Sequence, residues 1–167
     1  MDVWRALDIC TGSLGALKTL AINDSHHTSM ASTGHPTYTN IILSSLSFTP
    51  DLQSLSIFDV PLHALMIPPA VLQHLEEFRF QLYNQASAML DLLPLMDNLC
   101  RLDITCDADV EQFERIIELP TVASLTLRDG ESFNALPLVW SLLHLDNLRM
   151  LSLSYEGNIL DPAWPCC

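Results

Sequence analysis

The sequence predicts an α/β solenoid of about six repeats, with a curved parallel sheet on one side and helices on the convex side. Three observations carry this. The pattern L-x-x-L-x-L, with conservative substitutions, recurs as Leu17-Leu20-Ile22, Leu52-Leu55-Ile57, Leu75-Phe78-Phe80, Leu99-Leu102-Ile104, Val122-Leu125-Leu127 and Leu148-Leu151-Leu153. The starts are separated by 35, 23, 24, 23 and 26 residues. A Leu-rich chain matches such a template once by chance, but near-constant spacing over consecutive matches is a repeat signal. The stretches between the matches carry helical rather than alternating patterns, so successive strands are joined by crossovers and run parallel. One repeat cannot bury its own Leu row, and stacking buries all the rows in one core. Strands about 4.8 Å apart on one side and wider helices on the other impose the curvature.

The elements follow in order. Residues 1–10 read as a helix on Trp4 and Leu7, ended by Thr11-Gly12. Residues 23–38 are small and polar without periodicity, a flexible loop insertion that accounts for the long first spacing. Ile41, Ile42 and Leu46 suggest a short helix before Pro50. Pro68-Pro69 places one helical turn near 70–74, because Pro suits a first helical position. Residues 84–96 read as a helix limited by Pro94. The stripe Val110, Phe113, Ile116 and Ile117 is the clearest helix, capped by Asp107 or Asp109 and followed by Pro120. Phe133, Leu136, Trp140 and Leu143 mark another helix over 133–145. The repeat domain spans 1–155, and 156–167 is an irregular tail.

Composition narrows the function classes. Seven Lys+Arg stand against twenty Asp+Glu, a formal charge of −13, which repels phosphate backbones and anionic lipid heads. Nucleic acid and membrane are therefore not expected as partners. The apolar stretches are broken by Pro, Asp or Asn before they reach bilayer length. The five cysteines form no C-x-x-C, which points away from a disulfide framework or zinc site and toward a reducing compartment, cytoplasm or nucleus. No basic region followed by an apolar run marks a secretory leader in MDVWRALDIC.

The repeat pattern resembles the leucine-rich-repeat family over about residues 1–155. The Asn or Cys common at the ninth repeat position is replaced by Ser25, Val60, Tyr83, Asp107, Gly130 and Glu156. Irregular repeats of 23–26 residues without that Asn look most like the repeat domains of fungal F-box proteins. The resemblance implies a protein-interaction module that recognises substrates for an SCF-type ubiquitin ligase. It also implies a Skp1-like adaptor as partner, provided that an F-box lies elsewhere in the full gene product, since only about ten residues precede the first repeat. The alternative is a stand-alone scaffold or a fragment without ligase function.

Period-two alternation turns the leucines inward and the third, fifth and seventh template positions outward, onto the concave face. The third-position column reads Thr19, Ser54, Glu77, Arg101, Ser124, Met150; the fifth reads Ala21, Ser56, Arg79, Asp103, Thr126, Ser152. The seventh reads Asn23, Phe58, Gln81, Thr105, Arg128, Ser154. The candidate protein-binding residues are therefore Phe58, Glu77, Arg79, Arg101, Asp103 and Arg128, because Arg and aromatic side chains concentrate at interaction hot spots. Adjacent strands should pair Glu77 with Arg101 and Arg79 with Asp103. Arg128 has no acidic residue beside it in its column and is the best single candidate.

The sequence contains no nucleophile elbow and no Gly-rich phosphate loop, so catalysis and cofactors are not expected. His26, His27 and His35 share the loop, but no Cys or paired carboxylate completes a metal site there, so they read as solvated loop residues, and His63, His74 and His144 read as boundary residues. The terminal Cys166-Cys167 does not fit the C-a-a-X lipidation pattern. Neither end of the array supplies a polar cap, which predicts a tendency to associate.

Overall fold

The computed structural model describes residues 14–23, 49, 51–58, 67–82, 90–106, 116–129 and 135–155. A 3-10 turn, Leu14–Ala16, precedes β1 (Thr19–Asn23). The other strands are β2 (Ser54–Phe58), β3 (Glu77–Leu82), β4 (Arg101–Cys106), β5 (Ile117–Glu118), β6 (Ser124–Asp129), β7 (Leu143–His144) and β8 (Met150–Tyr155). Six of these form one parallel sheet in the order β1-β2-β3-β4-β6-β8. Each of the last five neighbours the strand that precedes it among the template matches. β5 and β7 form a separate parallel pair.

Strands β2, β3, β4 and β6 are entered in the same way. The N–H of Leu52, Leu75, Leu99 and Val122 donates to the carbonyl three residues earlier, at Thr49, Leu72, Met96 and Leu119. The next residue then opens the ladder. The carbonyl of Lys18 accepts from Gln53 and Ser54; those of Gln53, Glu76, Cys100 and Ala123 do the same for the strands that follow. A carbonyl oxygen has two lone pairs, so one acceptor fixes two consecutive donors and sets the register. Asn98 and Asn147, each just before a template leucine, donate side-chain N–H to the carbonyls of Gln73 and Pro120. These amides tie one strand entry to the previous one.

The core is the set of inward rows. Leu55, Phe78, Leu102 and Leu125 lie in register, as do Ile57, Phe80, Ile104 and Leu127, and all are buried. Phe78 and Phe80 stack with centroids 4.9 Å apart at 27°. Burying each such side chain contributes about 1.5–3 kcal/mol. The first template leucines Leu52, Leu75, Leu99 and Val122 are buried beneath the strand entries. The row is open at one end: Leu151 and Leu153, in register with Leu125 and Leu127, are 43% and 61% exposed.

The layer against the apolar face departs from the expected helices. The turn near 70–74 is the short helix α1 (Pro69–Leu72), with Val71 and Leu72 buried. Within the helix expected over 84–96, the described part holds a 3-10 turn, Leu93–Leu95. Leu90, Leu93 and Met96 are buried at three-residue spacing, which suits 3-10 geometry, and Pro94 sits where no donor is needed. The clearest expected helix is corrected at its end. Ile117 is in β5, paired with Leu143, and is buried, whereas Ile116 is exposed, so the expected stripe does not extend over both. The helix expected over 133–145 is α2 (Ala135–Leu142), and Leu143-His144 leave it to pair with Ile117-Glu118. Leu119 N–H also donates to the His144 carbonyl at 2.9 Å. A tertiary ladder thus overrides the local helical period. Val139 and Leu142 are buried and Trp140 is exposed, so Trp140 does not sit on the apolar face as expected. Asn23 ends β1 and does not belong to the loop placed over 23–38.

The expected helices at 1–10 and 41–46, the remainder of the 23–38 loop, Val110 and Phe113 with their caps, Phe133, and the 156–167 tail lie outside the described residues. Among the described residues no helix is long and apolar enough to cross a membrane.

Candidate functional site

The parallel ladder sets the outward residues in columns across the sheet. Thr19, Ser54, Glu77, Arg101, Ser124 and Met150 are consecutive register partners. So are Ala21, Ser56, Arg79, Asp103, Thr126 and Ser152. In the seventh column Asn23 pairs with Phe58, Gln81 with Thr105, Thr105 with Arg128, and Arg128 with Ser154. The face opposite the core is therefore polar, and its five charged residues stand on three adjacent strands.

Glu77 is the hub. Its Oε1 accepts from Nε of Arg79 at 2.9 Å and from Nη2 of the same residue. Its Oε2 accepts from Ser54 Oγ at 3.1 Å and from Arg101 Nη2 at 3.3 Å. The Glu77 side chain is 15% exposed, whereas that of Arg101 is 60% exposed. Burial raises the Glu77 pKa, but the hydrogen bond and charge of Arg79, the Ser54 hydroxyl and the Arg101 charge outweigh it. The carboxyl therefore titrates below its ordinary value of 4.5. Glu77 stays ionised and holds two guanidinium groups together.

The second cluster is a bidentate pair. Arg128 donates Nε to Asp103 Oδ1 at 3.2 Å and Nη2 to Oδ2 at 3.0 Å. Both groups are partly accessible.

Two sequence expectations need correction. Arg79 and Asp103 are register partners, but Arg79 pairs with Glu77 two residues away on its own strand and Arg128 takes Asp103. Residues two apart point to the same face of a strand, so the in-strand pair is sterically natural. Arg128 is not isolated: its acidic partner lies diagonally, on the neighbouring strand in the next column. Long side chains reach such diagonal neighbours. The Glu77–Arg101 pair is present as expected. Phe58 ends β2, partly buried.

A groove of about 580 Å³ runs along the strand entries, lined by Lys18, Asp51, Gln53, His74, Glu76, Asn98 and Cys100. All seven are exposed. Gln53 Nε2 donates to Glu76 Oε1 at 3.4 Å, and the Cys100 thiol donates to the Asn98 carbonyl at 3.4 Å. Among the described residues no group of three or more His, Cys, Asp or Glu is placed to hold a metal ion. His74 is exposed, and His144 Nε2 lies 3.4 Å from Asp146 Oδ1.

Sequence reasoning missed three features. Ser54 orients Glu77 from the preceding strand, and its place in the third column was the available signal. The bridging amides of Asn98 and Asn147 sit in a repeated D-N-L-x-x-L, visible at 97–102 and 146–151. The buried Asp129 follows β6's last outward residue, in register with Cys106.

No protein-family model matches this chain, and neither a curated protein nor a solved structure does.

Proposed function

We propose that the chain is a leucine-rich-repeat solenoid whose polar sheet face binds a segment of another protein. The contact residues are Glu77, Arg79, Arg101, Asp103 and Arg128, with Phe58 at the margin. The observation that carries this reading is the exposed guanidinium of Arg101 beside that of Arg79, both held by one largely buried carboxylate. Exposed ion pairs contribute only about 0–1 kcal/mol each, so the cluster adds little that the fold requires. Arg is enriched at binding hot spots, and a guanidinium already held in place loses less rotamer entropy on binding. In-register template leucines, single-carbonyl strand entries and sequential parallel order all suit a stacked repeat. In a solenoid of this kind the polar face is the concave one. The role suggested by the resemblance is substrate recognition for an SCF-type ubiquitin ligase, with no chemistry performed by the module itself.

Proximity labelling in cells tests the reading. The full chain should mark a defined set of proteins, and Arg101→Glu should remove most of it while Arg149→Glu, at a strand entry, leaves it intact. Identical sets from wild type and Arg101→Glu would overturn it, provided that circular dichroism shows both chains folded.

A further inference from the structure

We infer that a second copy of this chain docks on the edge of β8 away from β6, joining two sheets antiparallel about a two-fold axis. Every inward residue at register positions beside Leu125 and Leu127 is buried on β4, but on β8 the same rows are exposed, Leu151 by 43% and Leu153 by 61%. Met150, on the opposite face, is 57% exposed. Among the described residues β8 pairs with β6 on one side only, and its sequence, MLSLSY, has no charge and no proline. Edge strands usually carry such residues to prevent pairing, so β8 lacks the ordinary protection.

The strand is self-complementary. If Ser152 sits on the two-fold axis, it faces its own copy, Leu151 faces Leu153 of the second copy, and Met150 faces Ser154. Residues directly opposite in an antiparallel pair share a face, so all four leucines fall on the apolar side and extend the core row across the junction. The other end of the sheet favours a closed pair over an open filament. Ile22, on β1, is only 7% exposed and Leu20 is partly buried, so the β1 row is more covered than the β8 row and suits head-to-tail stacking less well.

Cross-linking through one added cysteine, combined with sedimentation, tests this, using the whole chain and the wild type as the background for its native cysteines. The wild type should sediment at twice 18.6 kDa at tens of micromolar, and Leu153→Arg at 18.6 kDa. Ser152→Cys should form an intermolecular disulfide on mild oxidation, because residues directly opposite lie within disulfide reach. Ser154→Cys should not exceed the wild-type background, since its own copy lies four residues away along the strand. A monomeric wild type would overturn the proposal. So would a dimer that Leu153→Arg leaves intact, or equal cross-linking of Ser152→Cys and Ser154→Cys, which would mark unspecific association.

Discussion

Truncating one inward residue in the middle of the sheet and another at its open edge should give opposite results. Phe78 is fully buried, flanked in register by Leu55 and Leu102, and stacked on Phe80. Phe78→Ala should cost about 3–5 kcal/mol, of which about 0.5–1.5 kcal/mol reflects the lost ring–ring contact. Leu102→Ala, on the next strand, should cost about 2–5 kcal/mol. Leu153 belongs to the same template position as Ile104 but is 61% exposed, so Leu153→Ala should cost less than about 1 kcal/mol in the monomer. Domains of this kind are stable by about 5–15 kcal/mol, so the first variant should lose a large share of the total. Urea denaturation followed by circular dichroism at submicromolar protein separates these effects from self-association. The midpoint should fall for Phe78→Ala and Leu102→Ala without a change in slope, which tracks the surface exposed. Equal losses for Leu153→Ala and Leu102→Ala would refute the reasoning, because they would mean that β8 is as well covered as β4.

Four further outcomes follow from the same structure. The Glu77 carboxyl has a lowered pKa in the folded chain, so its contribution is fully present above its unfolded value near 4.5 and is lost as pH falls through the lower folded value. The difference in urea midpoint between wild type and Glu77→Gln should therefore shrink as pH drops below that range. A double-mutant cycle on Asp103→Ala and Arg128→Ala should give a coupling below about 1 kcal/mol, because the pair is partly accessible. Asn147→Ala, which removes the amide bridge to Pro120, should lower stability by about 0.5–1.5 kcal/mol in a thermal melt. Dimerisation should strengthen with added salt, since each copy carries −13 and screening weakens their repulsion; sedimentation across a salt series reads it.

What the sequence made legible was whatever depends on alternation. Leu99, Leu102 and Ile104 set inward positions, and once those are known the register of Arg101 with Glu77 and of Asp103 with Arg79 follows. The ion pairs were less legible because alternation places Cβ atoms, whereas guanidinium groups end several bonds further out. Arg79 could reach Asp103 or Glu77, and only the geometry chose Glu77. The second layer was the least legible. Ile117 and Leu143 fit helical stripes by spacing, yet they meet as a two-residue ladder. Short apolar runs satisfy either period, and tertiary pairing decides between them.

The polar face differs in sign from the chain that carries it. Its five charged residues are three arginines and two carboxylates, against seven cations and twenty anions in the whole sequence. Both carboxylates are already engaged: Glu77 accepts from three side chains, and Asp103 holds Arg128 by two bonds. Arg101 contributes a single long contact to Glu77 and retains most of its five donors. A partner segment that offers an acceptor to Arg101 therefore need not break a strong pair, whereas one that approached Asp103 would have to compete with a bidentate fork. This difference, more than exposure alone, places the weight of the proposed contact on Arg101 and leaves Arg128 to hold the adjoining strand in position.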